Sequence, residues 1–303
     1  MTIFLDAVNQ GLYYGILAMG VVLTYKILDF PDLSVDSTAP LGGVICALTV
    51  RNLGQPVLGL LLAFLAGVLA GCVTGILHVN FKISPLLCGI MVMTGLYSIN
   101  LWIGNTSNLP VFNHSLIFNS DWLVGGILDR GMRTLVTSLY QMAVLLVLVL
   151  IIKLVLDWFL STRFGFLIRI TGDNPQLVHG LGADIGKVKI AALAIANGLA
   201  ALYGATAVQY LGMYDITMGS GTIAAGLAAV ILGTTLFRKL PVLKMTGMVV
   251  CGAVLYRLAI ALAYRLHAPI SFERLVTVLI FFAAIALNNG SIKSLFHKEA
   301  SHD

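Results

Sequence analysis

The sequence predicts an all-α integral membrane protein, a polytopic bundle of about nine transmembrane helices. Three observations carry this. Only 10% of the 303 residues are charged, against about 25% in a soluble domain. Hydrophobic residues make up 59% and the mean hydropathy is +0.97, so most of the surface must face lipid. Apolar runs of span length recur along the chain, and the basic residues between them are unevenly distributed.

A hydrocarbon core about 30 Å thick is crossed by about 20 helical residues. Runs of this kind fall at 7–25, 40–50, 56–79, 84–103, 135–159, 190–211, 222–236, 245–264 and 275–288. The second, seventh and ninth are short, so they are expected to be tilted, broken or partly inserted, and eight or ten spans stay open. The opening MTIFLDAVNQ lacks the Lys or Arg that begins a secretory signal, so the first run is expected to stay in the mature protein. The chain reads as one transmembrane domain over 1–303.

Charge sets the orientation. With the N-terminus outside, Lys26, Lys82, Lys153, Arg163, Arg169, Lys187, Lys189, Arg238, Lys239, Lys244, Lys293 and Lys298 fall inside. Arg51, Arg130, Arg133, Arg265 and Arg274 fall outside. That bias is what cytoplasmic loops carry. It accounts for the net charge of +5 without nucleic-acid binding. The longest outer segment is 104–133, and its stretch DWLVGGIL is expected to lie along the membrane surface.

The polar stretch 163–189 is the cytoplasmic counterpart. Asp173 or Asn174 supplies an N-cap and Pro175 the favoured first helical position. Gly180 or Gly182 supplies the stop. These signals predict a short helix over 175–181 outside the bilayer, read either as a docking helix or as a solvated connector. Asp184 is placed to cap the sixth span.

Several residues stand out within the apolar runs. Gly67, Gly71 and Gly75 repeat at the spacing that lets helix backbones approach closely, within the bundle or across a dimer. The stretch 26–40 holds Asp29, Asp32 and Asp36 with Pro31 and Pro40, which reads as a solvated loop or as irregular backbone lining a polar path. Arg257 lies about 20 Å along its helix from Lys244. A charge at that depth is expected to face the bundle interior or a cavity, with Asp215 as a candidate partner. Asn9, Gln10, Tyr13, Tyr14, Asn100, Asn197 and Gln209 are further candidates for a path or for hydrogen bonds between helices. A faint internal echo links LDFPDLSVDSTAPLGGVICAL with LGMYDITMGSGTIAAGLAAVIL. Five spans separate the two, so they would have opposite topology, as in inverted-repeat transporters.

Enzyme chemistry finds no footing. The four cysteines lie in apolar runs without C-x-x-C spacing, and the histidines show no ligand spacing. The nearest approach to a phosphate loop, Gly182 to Lys187, is one residue short and lacks the following Ser or Thr.

The segment Asp32-Leu33-Ser34-Val35 before a Gly/Ala-rich run, and TGDNPQLVHGLGADIGKVK leading into NGLAALYGA, resemble permease subunits of binding-protein-dependent ABC importers. The branch is that of branched-chain amino acid and ribose permeases. The resemblance spans nearly the whole chain. Its closing part is similar to a subgroup with members linked to aromatic amino acid uptake. In sugar permeases a Gly follows the Val, where this chain has Asp36. The resemblance implies a type II-like importer permease that moves an amino acid or similar small solute across the bacterial inner membrane. It implies a second permease copy as a homodimer, an extracytoplasmic substrate-binding protein, and cytoplasmic ATPases that bind the ATP and Mg, with no cofactor in this chain. The ATPase contact would be the coupling loop at 160–189: Asp173, Asn174, Pro175, Gln176, Leu177, His179, Gly180, Leu181, Gly182 and Lys187. Asp32, Ser34, Asp36, Asn197, Asp215 and Arg257 are the candidate translocation path. The N-terminus would be outside and the C-terminus cytoplasmic. An ion-coupled secondary transporter or channel is the alternative.

Overall fold

The computed structural model describes residues 2–120, 130–238, 240, 243–267, 269 and 272–288. Both the DWLVGGIL stretch and the tail after Gly290 lie outside the described residues. Helices occupy each of the apolar segments read from the sequence, and among the described residues seven are long and apolar enough to cross a membrane.

Helix α1 (Thr2–Val21) runs into a π-helical turn, Val22–Ile27, closed by Leu28 N–H donating to the Leu23 carbonyl at 3.0 Å. A connector then carries Asp29 at φ 54° into α2 (Val35–Leu53). The second helix begins earlier than its apolar run, because Pro40 lies inside the helix and does not start it. Proline has no N–H, so the Asp36 carbonyl loses its helical donor. Gly219 packs against that carbonyl and the Pro40 ring so closely that a Cβ there would overlap both.

Helices α3 (Pro56–Val79) and α4 (Pro85–Gly104) each open on a proline at the first turn. A short strand, β1 (Asn108–Pro110), leads toward α5 (Arg130–Ser161). The polar stretch after α5 is more helical than its composition suggests. Thr162 Oγ1 accepts from Gly165 N–H at 3.3 Å and starts α6 (Arg163–Asp173), whose Ile168 is fully buried. Then follow α7 (Pro175–Gly180) and α8 (Ile185–Leu211).

Gly212, at φ 70°, ends α8 and leads to β2 (Met213–Asp215). This strand pairs antiparallel with β1, Leu109 opposite Tyr214. A 3₁₀ turn, Ile216–Gly219, precedes α9 (Thr222–Leu236), α10 (Met245–Arg265) and α11 (Glu273–Asn288).

Burial sorts the helices. In α1 and α8, 83% and 78% of the most apolar window is buried, against 28% in α4 and α5, so the first two form the centre and the latter two face lipid. α8 lies against α1, α2 and α3, while α1 lies against α5, α8 and α10. The α3 glycines make the α3–α8 contact close. A Cβ on Gly67 would sit 2.4 Å from the Asn197 carbonyl oxygen, and one on Gly71 2.3 Å from that of Leu193. Gly75 faces Ile190 in the same way. The glycine face is therefore spent inside the chain.

Candidate functional site

One cluster of buried polar residues lies at the start of α2, against α8. Asp32, 2% exposed, accepts at Oδ1 from Ser34 N–H at 2.9 Å and lies 2.6 Å from Ser34 Oγ. From α8, Asn197 donates through Nδ2 to Asp32 Oδ2 at 2.7 Å. Asn197 Oδ1 accepts from Thr38 Oγ1 at 2.8 Å and lies 3.1 Å from Ser34 Oγ. One buried carboxylate is thus satisfied by two elements far apart in sequence, which a buried charge requires.

Across the bundle, Asp215 makes the same local turn. Its Oδ1 accepts from Thr217 N–H at 2.7 Å and from Thr217 Oγ1 at 2.6 Å. Asp36 bridges the two segments by capping α9. Gly221 N–H donates to Oδ2 at 3.1 Å, while Ile223 N–H and Thr222 Oγ1 donate to Oδ1, each at 2.9 Å. A carboxylate at a helix start suits both the free N–H groups and the helix dipole.

Beside this cap runs an open groove of about 430 Å³ lined by Asp36, Ser37, Tyr97, Asn100, Ser220 and Arg274. A second groove of about 570 Å³, lined by Ser220, Tyr256, Glu273, Arg274 and Thr277, adjoins it.

Arg257 is 8% exposed. Its partner is Glu273, not Asp215: Nη1 donates to Glu273 Oε1 at 2.9 Å. Asp215 is occupied by its own turn. The Arg257 guanidinium also stacks 3.8 Å from the centre of the Tyr14 ring, and Tyr14 joins a ring cluster with Tyr13 and Tyr203. Tyr264 Oη donates to the other Glu273 oxygen at 3.0 Å. Cation, carboxylate and aromatic faces together make a buried charge tenable.

At the opposite end, Asn174 caps α7: Oδ1 accepts from Gln176 N–H at 3.1 Å and Leu177 N–H at 3.3 Å. Asp173 instead closes α6. Gly180 and Gly182 follow, the latter at φ 72°, and Asp184 Oδ1 caps α8 through Gly186 and Lys187 N–H. Leu177 and Leu181 are 52% and 59% exposed. Gly172 of α6 lies against the Ile27 carbonyl, too close to admit a Cβ, so α6 is seated on the π-helical turn.

A profile described as "Branched-chain amino acid transport system / permease component" matches residues 3–285. The chain belongs to this permease family. It is 40% identical over 292 residues to the tyrosine transport system permease protein of Clostridioides difficile strain R20291, covering 96% of this chain and 93% of that one. It is 29% identical to an uncharacterized protein of Rickettsia prowazekii, covering 93% and 97%. It is 28% identical to the autoinducer 2 import system permease protein LsrC of Salmonella paratyphi B, covering 72% of this chain and 59% of that one. No solved structure matches it.

The permease is therefore a multi-pass membrane protein and a transport subunit. Of the residues singled out in its sequence, Asp32, Ser34 and Asn197 meet in one cluster, Asp36 joins α2 to α9, and Asp215 and Arg257 lie apart from that cluster. Two acidic residues escaped the sequence reading. Glu273 neutralises Arg257 across a turn whose geometry no short-range pattern gives. Asp157, 7% exposed, pairs with Lys153 of its own helix at 2.9 Å and ties α5 to α10 through Lys244 at 3.9 Å and Thr246 Oγ1. The Lys153–Asp157 spacing of one helical turn was the available signal.

Proposed function

We propose that this permease carries an amino acid or a similar small solute inward across the bacterial inner membrane, as a homodimer driven by two cytoplasmic ATPases and fed by an extracytoplasmic binding protein. The observation that carries the ATPase contact is the capped helix α7. It presents Leu177 to solvent, with Leu181 exposed just beyond its end, while its neighbour α6 presses on the π-helical turn of α1. A push on α7 reaches, through α6 and that turn, the connector holding Asp32. Nucleotide and Mg belong to the partner, since this chain has no phosphate-binding loop.

In this reading nine helices, α1–α5 and α8–α11, cross or enter the membrane, with the N-terminus outside and the C-terminus inside. The inverted-repeat reading is supported by the matching turns at Asp32–Ser34 and Asp215–Thr217 and by the swapped packing of α3 on α8 and α10 on α1. Asp32, Ser34 and Asn197 hold the start of α2 and Asp215 that of the 3₁₀ turn before α9, while the groove beside Asp36 is the path. The tyrosine transport permease similarity favours amino acid cargo.

The test is co-purification in detergent with the ATPase encoded nearby. Wild type is expected to retain the ATPase, and a folded variant carrying Arg169→Glu, Lys187→Glu and Gly182→Pro to lose it. Binding of no ATPase by wild type, with ion-driven transport by the permease alone in liposomes, overturns the reading.

A further inference from the structure

We propose that the groove beside the α9 cap is a binding site for a zwitterion, taking the ammonium of an α-amino acid at Asp36 and Asn100 and its carboxylate at Arg274. The inference rests on the transport reading above and names where the cargo is held.

Three observations point to this ligand. First, Asp36 accepts three hydrogen bonds, while a carboxylate has about four lone-pair sites. One acceptor position on Oδ2 is left. Second, Asn100 is 1% exposed and lines the same groove. Its Nδ2 donates to the Ser37 carbonyl at 2.9 Å, but its buried Oδ1 has no partner. An orphaned buried acceptor is costly, and a donor in the groove would relieve it. Third, among the described residues Arg274 makes a single hydrogen bond, Nη2 to Ser220 Oγ at 3.2 Å. Among the described residues no carboxylate lies within ion-pair distance of it.

The two charges meet the same short turn. Asp36 binds Gly221 N–H and Arg274 binds Ser220 Oγ, yet they form no ion pair with each other. Glu273, next to Arg274, is already held by Arg257 and Tyr264. Arg257, bound by Glu273, lies about 18 Å along α10 from Met245, at 1.5 Å per residue, so this end of α11 faces the outer side of the membrane in the orientation proposed above. Arg274 is exposed there, so its guanidinium can take an anionic group arriving from that side. Opposite charges held apart across a gap fit a molecule that carries both. Met93 and Tyr97 supply an apolar and aromatic wall for the side chain.

The experiment is ligand-observed NMR on the intact permease in nanodiscs, with L-tyrosine and L-leucine as probes. Tyramine, which lacks the carboxylate, and 3-(4-hydroxyphenyl)propanoate, which lacks the ammonium, are the one-charge comparators. L-Tyrosine is expected to bind at least tenfold more tightly than either comparator. Arg274→Gln is expected to erase its advantage over tyramine, and Asn100→Leu its advantage over the propanoate. Asp36→Asn should act as Asn100→Leu does, but it also weakens the α9 cap, so Asn100→Leu is the deciding variant. Equal binding of the three phenolic probes, binding of neither amino acid, or variants that keep the full discrimination overturns the zwitterion site. The transporter reading has its own readout: retention of the ATPase by the same preparation leaves it standing when the groove proposal fails.

Discussion

Asn197 is the residue on which the α2 start depends. It donates to Asp32 and to the Leu193 carbonyl, and it accepts from Thr38. Asn197→Ala removes every one of these partners and leaves the Asp32 carboxylate with only its own turn. The expected cost is about 1–3 kcal/mol, seen as a lower midpoint of thermal unfolding in detergent, with α7 and ATPase retention unaffected. The Arg257–Glu273 pair behaves differently, because the Tyr14 ring also holds the guanidinium. Glu273→Gln is expected to destabilise by about 1–3 kcal/mol. A double-mutant cycle with Arg257→Met separates the pair from the stacking. A cycle showing no coupling would assign the stability of Arg257 to the aromatic face alone.

At the scale of the helix, the glycines give opposite expectations. Gly71→Ala puts a methyl 2.3 Å from the Leu193 carbonyl, so α3 and α8 must separate, at about 1–3 kcal/mol. Gly95 of α4 has nothing within 4 Å. Gly95→Ala is expected to be neutral or stabilising by about 0.5–1 kcal/mol, since alanine loses less entropy in a helix. Thermal unfolding of the two variants side by side checks both. These glycines also indicate what the sequence could reveal. Their spacing exposed a close helix contact, but the partner lay more than a hundred residues away and had no local trace. Short-range signals carried further: Asn174, Pro175, Gly182 and Asp184 marked the start and end of α7 and the start of α8 because caps act within three residues. By contrast, α6 was hidden by its mixture of Arg, Phe and Gly, and the π-helical turn by an apolar sequence that suits an α-helix equally well. Asp36 was legible as an acid near a proline. Its role as the cap of α9 was not, because that bond joins segments on opposite halves of the chain.

For the whole molecule, the orientation proposed from charge gives a labelling pattern. In a variant without the native cysteines, Ser107→Cys beside β1 is expected to react with an impermeant thiol reagent from outside intact cells. Leu181→Cys is expected to react only after the inner face is opened. Labelling of both from the same side would overturn the alternating arrangement. The proposed path and its supports draw on both halves, so substitutions at Asp36 are expected to affect transport and stability together.

The close seating of α8 in the glycine face of α3 has a consequence for biogenesis. When the ribosome has made only the first half, Gly67, Gly71 and Gly75 have no occupant, and α1 likewise awaits α10. The insertion machinery must hold an incomplete, groove-bearing intermediate in the lipid until the later helices arrive. A chain that terminates after α5 is expected to be recognised as unfinished and degraded. The two halves made as separate polypeptides, cut between Gly180 and Asp184, are expected to persist only when synthesised together. Pulse-chase measurement of each half alone and in combination would register this interdependence as a difference in lifetime.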